Sequence, residues 1–271
     1  MTTAELGEKS AMQNDTYTTE KELVWNAHHD VFETLCHTDD LMKYFSCISH
    51  VSRGFGATDR SIRCMDGRTP GGKHFAGSGI LLANRRGKEF ALETLAAIHP
   101  DGIYSHEECG AANLVATLQG LEPEAGEEIA VEWACEAAEA LHIPYLGHLP
   151  VDAPFHDEMA TYYDGTGRID PVRLSDHIVP GFDITRQYHR TACDAQEELM
   201  ISIGIAFGKN GFNDRFTRER PFLVIVIGHT KDPELSAPRL MEEVLPVVDA
   251  SLHRDRIRIL SLTPEQCWLV D

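Results

Sequence analysis

The sequence predicts an α/β protein built on a twisted, largely parallel β-sheet flanked by helices. Three observations point there. From residue 61 onward short apolar runs alternate with longer stretches of helical periodicity. The run PFLVIVIGH, residues 221–229, is apolar enough for a strand buried on both faces, as strands of parallel sheets are. No apolar run approaches the roughly 18 residues that a membrane span requires. A chain of 271 residues can bury a substantial core, and it is read as one domain over residues 20–271 behind a flexible arm, residues 1–19.

The opening stretch MTTAELGEKSAMQNDTYTTE is polar and lacks the basic start and apolar core of a secretory signal, so a cytoplasmic location is expected. From Glu20 to His50, apolar residues recur at helical spacing (Leu23, Val24, Ala27, Val31, Phe32, Leu35). This predicts N-terminal helices that serve as scaffold or subunit contact. Then come the short runs SIRCM (61–65) and SGILLAN (78–84), a helix over about Lys88 to Ile98, and the strand GIYSH (102–106). A helix from Gly110 carrying Leu114, Val115 and Leu118 should cover the sheet. So should one from about Ala125 to Leu141 carrying Ile129, Val131, Trp133 and Ala137.

Residues Val151 to Gln187 are rich in Pro, Gly, Asp and His and weakly periodic, which predicts a long functional loop or a small β excursion. A helix over Ala192 to Phe207, the strand in PFLVIVIGH, a helix near Leu240 to Leu252 and the run IRILSL complete the pattern. The sequence shows no internal repeat and no low-complexity tract.

A formal net charge of -19 argues against nucleic acid and anionic membrane surfaces as partners, and a small-molecule substrate fits better. Seven cysteines, an odd number without an export signal, read as reduced thiols rather than a disulfide framework.

Two segments carry the chemistry. RCMDGR (63–68) and SHEECG (105–110) each follow a predicted strand, and open α/β sheets place their sites at such strand ends. Cys64, His106 and Cys109 offer two thiolates and an imidazole, donors that suit Zn²⁺ and also Cd²⁺ or Co²⁺. Three protein ligands leave a fourth position for water, the arrangement of a catalytic metal. His-x-x-Cys alone is a weak signal in a chain with 14 histidines. Asp66 and Arg68 strengthen it, since a carboxylate and a guanidinium two positions apart can pair beside the metal. A surface ion pair worth about 0–1 kcal/mol would not account for their place next to Cys64.

C-M-D-G-R followed by H-E-E-C-G-A resembles the Cys-x-Asp-x-Arg and His-x-x-Cys-Gly signatures of β-class carbonic anhydrases. F-A-G-S-G-I-L-L-A-N-R-R-G (75–87) is similar to their glycine-containing strand, with features of the ζ-class, cadmium-type enzymes. The likeness covers about residues 60–120, and the subclass stays open. It implies a β-carbonic-anhydrase-like fold, a homodimer or higher homo-oligomer clasped by the N-terminal helices, and reversible hydration of CO₂ to bicarbonate. Cys64, His106 and Cys109 would hold the metal, and Asp66 would accept a hydrogen bond from the metal's water or else close the site. Arg68 would keep Asp66 ionised and turned away. Ala76, Gly77, Ser78, Gly79 and Gly110 would line the substrate pocket.

Two further readings stay in view: a CS₂ or COS hydrolase on the same fold, and a non-catalytic zinc-binding or regulatory protein closed by a fourth ligand. A thiol redox protein is disfavoured, because Cys64 and Cys109 form no Cys-x-x-Cys pair. Cys36 and Cys47, near His37 and His50, read as core cysteines rather than a second metal site, and Cys135, Cys193 and Cys267 as packed residues. Among His74, His99, His148, His156 and His189, His74 is the proton-transfer candidate because it lies nearest the motif.

Overall fold

The computed structural model describes residues 19–151 and 155–267, so the predicted arm lies almost wholly outside the described residues. The architecture is α/β. Among the described residues, eight strands form two four-stranded sheets, all parallel: β1 (Ile62–Cys64), β2 (Lys73–Phe75), β3 (Ile103–His106) and β4 (Tyr145–Leu149) in one, and β5 (Ala160–Asp164), β6 (Gly181–Ile184), β7 (Phe222–Ile227) and β8 (Ile257–Leu262) in the other.

The strand orders are β2-β1-β3-β4 and β6-β5-β7-β8. Counted from its own first strand, each sheet therefore reads second, first, third, fourth. The sequence shows no repeat, yet the two halves share one topology. They meet where β2 approaches β6: the Thr185 N–H donates to the His74 carbonyl at 3.2 Å and its hydroxyl accepts from the His74 N–H at 2.8 Å.

Helices follow the predicted pattern with one exception. Residues 19–27 are helical (α1), followed by α2 (His29–His37), α3 (Leu41–Ser46), α4 (Ile80–Arg86), α5 (Lys88–Ala96), α6 (Gly110–Leu118), α7 (Gly126–Leu141), α8 (Ala192–Ala206) and α9 (Ala237–Ala250). The exception is α4, which the run SGILLAN presented as a strand. Gly77, Ser78 and Gly79 all take left-handed backbone angles (φ 58°, 56° and 94°), swinging the chain out of β2 into a helix. Ile80, Leu81, Leu82 and Ala83 are all buried while Asn84, Arg85 and Arg86 are exposed, and a first turn covered all round leaves no periodic trace in its sequence.

The weakly periodic stretch 151–187 contains β5 and β6, whose nine residues are all buried. The N-terminal helices pack on their own chain: Trp25 sets its ring edge-on to Phe32, Phe212 and Phe216 at 5.1, 4.9 and 5.6 Å. β7 is buried at all six positions. At about 1.5–3 kcal/mol per large apolar side chain, it is a main source of stability for the second sheet.

Candidate metal centre

Parallel pairing of β1 with β3, Ile62 opposite Ile103, brings the ends of both strands to one edge of the sheet. Cys64 ends β1 and His106 ends β3. Glu108 then takes a left-handed conformation (φ 54°), which turns the chain so that Cys109 becomes the N-cap of α6. One donor atom from each of Cys64, His106 and Cys109 lies within 4.8 Å of the others, and all three residues are buried. The His106 Nδ1–H donates to the Glu107 carbonyl at 2.7 Å. Its Nε2, buried and without a hydrogen-bond partner, is left as the donor atom.

The Cys64 thiol is held well below its ordinary range by a hydrogen bond from Cys109, against the opposing effect of burial, with the His106 charge adding to the effect. Cys109 is pushed up by that same hydrogen bond and by burial. Burial pulls His106 down, but the Cys64 thiolate outweighs it and raises the imidazole to about 9. A buried S₂N set with an orphaned imidazole nitrogen fits a divalent metal of the zinc type, whose binding would displace protons from His106 and Cys109.

Asp66 and Arg68 form a closed pair. The Arg68 Nε and Nη2 donate to Oδ1 and Oδ2 of Asp66 at 2.9 and 2.7 Å, and the Arg68 N–H reaches Oδ1 at 3.0 Å. Burial alone would raise the Asp66 carboxyl, but the hydrogen bonds from Arg68 and the nearby His156 charge hold it well below the usual carboxylate range. Asp66 is thus ionised and turned onto Arg68.

The second half of the chain walls this turn. The Asp183 N–H donates to the Met65 carbonyl at 2.9 Å, and the Gly67 N–H donates to Glu158 Oε1 at 2.9 Å. His156 Nδ1 stands 3.7 Å from Asp66 Oδ2 and 3.3 Å from Glu158 Oε2. Glu158 is completely buried, and burial together with the Asp66 charge raises its carboxyl to about 7.

In front of Cys64 and Asp66 lies a cavity of about 10 Å³, on the scale of one water molecule, lined also by Met65, Gly110, Ala111, His156, Phe182, Ile201 and Ile205. Gly110 thus stands where the pocket was expected, whereas Ala76, Gly77, Ser78 and Gly79 are not among the walls. Their turn lies behind Cys64, where the Gly77 N–H donates to Cys64 Sγ at 3.2 Å and the Ser78 hydroxyl donates to the Tyr104 carbonyl at 2.6 Å.

His74 is also displaced from its expected role. Its Nδ1 hydrogen-bonds the Cys64 carbonyl at 2.6 Å, and burial pushes its pKa down to about 4, so it is a neutral core residue. His156 lines the cavity instead. Cys36 is buried as expected, with burial raising its thiol to about 12, but Cys47, Cys135 and Cys193 are exposed rather than packed. The Cys267 side chain lies outside the described side chains. Among the described residues, Cys36, Cys47, His37 and His50 form no ligand group. Glu158 carried no sequence signal at all, since nothing in FHDEMA ties it to a turn ninety residues earlier.

Comparison with protein-family models, with curated proteins and with solved structures finds no match to this chain.

Proposed function

We propose that the chain is a metal-dependent carbonic anhydrase, hydrating CO₂ reversibly to bicarbonate, with Cys64, His106 and Cys109 as metal ligands. The supporting observation is the Asp66–Arg68 pair: an ionised carboxylate, doubly held by a guanidinium, on the rim of the one-water cavity that also exposes Cys64. A structural metal would have no use for such a pair. A divalent metal bound here would supply a hydroxide nucleophile by lowering the pKa of a coordinated water to about 7.

The chain's own residues do the rest. Arg68 holds Asp66 as an acceptor that orients a water proton and keeps it from collapsing inward. Met65, Ala111, Phe182, Ile201 and Ile205 give the cavity apolar walls that suit a small uncharged substrate and leave bicarbonate poorly held. His156, beside Asp66 in the cavity wall, places its positive charge where it keeps Asp66 ionised. These walls suit CS₂ and COS as well, which makes hydrolysis of those molecules the second reading.

Stopped-flow CO₂ hydration over about pH 6.5 to 9, a span chosen to bracket a metal-water pKa of about 7, with metal content measured on the same sample, tests the proposal. Turnover that rises with pH and is lost on chelation is the expected result. A full complement of metal without CO₂ turnover would overturn it, and activity toward CS₂ or COS would then establish the second reading.

A further inference from the structure

Two buried glutamates of the second half are built into the first half in the same way. Glu158 Oε1 accepts the Gly67 N–H at 2.9 Å while its Oε2 faces His156 Nδ1 at 3.3 Å. Glu198, on α8, has Oε1 accepting the Ala76 N–H at 2.7 Å while its Oε2 faces His189 Nε2 at 3.1 Å. Each carboxylate thus accepts one backbone amide of the first half with one oxygen and faces a histidine of its own half with the other. All four side chains are buried. His189 is fixed further by stacking on Phe75, 4.7 Å between ring centres, and by the Thr185 carbonyl at 3.1 Å from its Nδ1.

The two amides lie on either side of Cys64 in function. Gly67 sits between Asp66 and Arg68. Ala76 immediately precedes Gly77, whose N–H donates to Cys64 Sγ. Both anchors are tight: a Cβ on Gly67 would come within 2.4 Å of the Gly181 carbonyl oxygen and 3.1 Å of Glu158 Cγ, and one on Gly77 within 2.5 Å of Ile80. Neither glutamate makes a hydrogen bond or ion pair to a metal ligand among the described residues, so each acts through the loop it holds.

We propose that Glu158 and Glu198, each with its histidine, are positioning residues of the metal centre: Glu198 sets the amide that donates to the Cys64 thiolate, and Glu158 sets the turn bearing Asp66 and Arg68. The inference rests on reading Cys64, His106 and Cys109 as metal ligands; the hydration of CO₂ enters only one of its readouts. A thiolate that loses an amide hydrogen bond becomes a different ligand, whereas a displaced Asp66 leaves the ligands alone and changes what stands beside the fourth position. The two pegs therefore have separable signatures.

The test uses the full chain loaded with Co²⁺. Glu198→Ala should weaken metal binding by about 10- to 100-fold, the range for outer-shell partners, and shift the thiolate-to-cobalt absorption band, and Glu198→Gln, which retains an acceptor oxygen, should restore both. Glu158→Ala should keep metal affinity within about threefold, an allowance set well below that outer-shell range, while altering the cobalt d–d absorption and lowering turnover; Glu158→Gln should restore these. Where an alanine variant does not fold, Glu→Asp, which retracts the carboxylate by one carbon, takes its place with the same expected split.

Alanine or aspartate variants that change thermal stability but leave metal affinity, both cobalt bands and turnover as in the parent chain would overturn the proposal. So would glutamine variants that fail to restore them. If the parent chain binds metal without hydrating CO₂, the proposed activity fails while the affinity and spectral readouts still decide the role of the two glutamates.

Discussion

Asp66 is where the chemistry can be separated from the metal. Its carboxylate contributes charge and acceptor geometry but is not one of the three clustered donors around Cys64. Asp66→Asn is expected to retain bound metal and lose turnover on the order of 10²-fold, the lower end of what a positioned proton-handling group contributes. Cys64→Ser is expected to lose metal outright. Metal analysis and stopped-flow rates on the same preparations check both, and an Asp66→Asn protein with undiminished rates would remove the proposed role of the pair.

Glu158 allows a prediction about stability. Its folded pKa, about 7, is above the ordinary carboxyl value because burial, and then Asp66, disfavour its charge. A group raised on folding stabilises fully below its unfolded pKa and loses that contribution as pH rises through the folded one. The parent chain should therefore lose stability between about pH 4.5 and 7 relative to Glu158→Gln, which does not titrate, by a few kcal/mol at most. Paired unfolding curves across that span measure it; a constant difference between the two proteins would show that Glu158 does not titrate there.

At the scale of elements, the turn between β1 and β2 is the most constrained piece of the site. Gly67→Ala would drive a methyl into the Gly181 carbonyl, backbone that cannot give way, and should cost about 1–3 kcal/mol and much of the activity. Gly56→Ala is the control. Its added Cβ would find nothing closer than 3.6 Å and a φ of -118° suits any residue, so stability should stay within about 0.5 kcal/mol. Thermal unfolding of the two variants reads the contrast.

The same elements show what a sequence can and cannot reveal. β1, β3, α6 and β7 were legible because local pattern and a following motif agree: IRC before MDGR, IYSH before EECG, six apolar residues in a row for β7. Cys64, His106 and Cys109 were legible for the same reason, being tied to strand ends by short spacing. α4 was misread because its buried residues run consecutively, and β5 and β6 were blurred because short strands between Gly- and Asp-rich turns have too few residues to show a period. Glu158 and Glu198 were invisible because their meaning lies in amides 91 and 122 residues away.

At the scale of the molecule, the shared strand order raises the question of whether the second half holds a second metal. β5 and β7 stand to each other as β1 and β3 do, so the places matching Cys64 and His106 lie at or just past their ends, at Asp164 and near His229. There Asp164, His229 Nδ1 and Asp232 Oδ1 are already committed. Asp164 accepts the N–H groups of Thr166, Arg168 and Ile169 and the Thr166 hydroxyl, while His229 Nδ1 accepts the Lys231 N–H and Asp232 accepts the Glu234 N–H.

Each of these groups tightens its own loop, and among the described residues no ligand cluster forms at that edge. What the second half does contribute is the wall of the first site: His156, Glu158, Phe182, Ile201 and Ile205. One half holds Cys64, His106 and Cys109 and the other encloses them, and the second donor group among the described residues, Asp66 with His156 and Glu158, is already engaged by the Arg68 guanidinium and the Gly67 N–H, so a single chain should contain one complete centre. The expected stoichiometry is one metal per chain, abolished by Cys109→Ser and unchanged by His229→Ala together with Asp232→Ala. Two metals per chain, with one lost in the His229→Ala, Asp232→Ala protein, would mean that the second half rearranges its loops to bind a metal of its own.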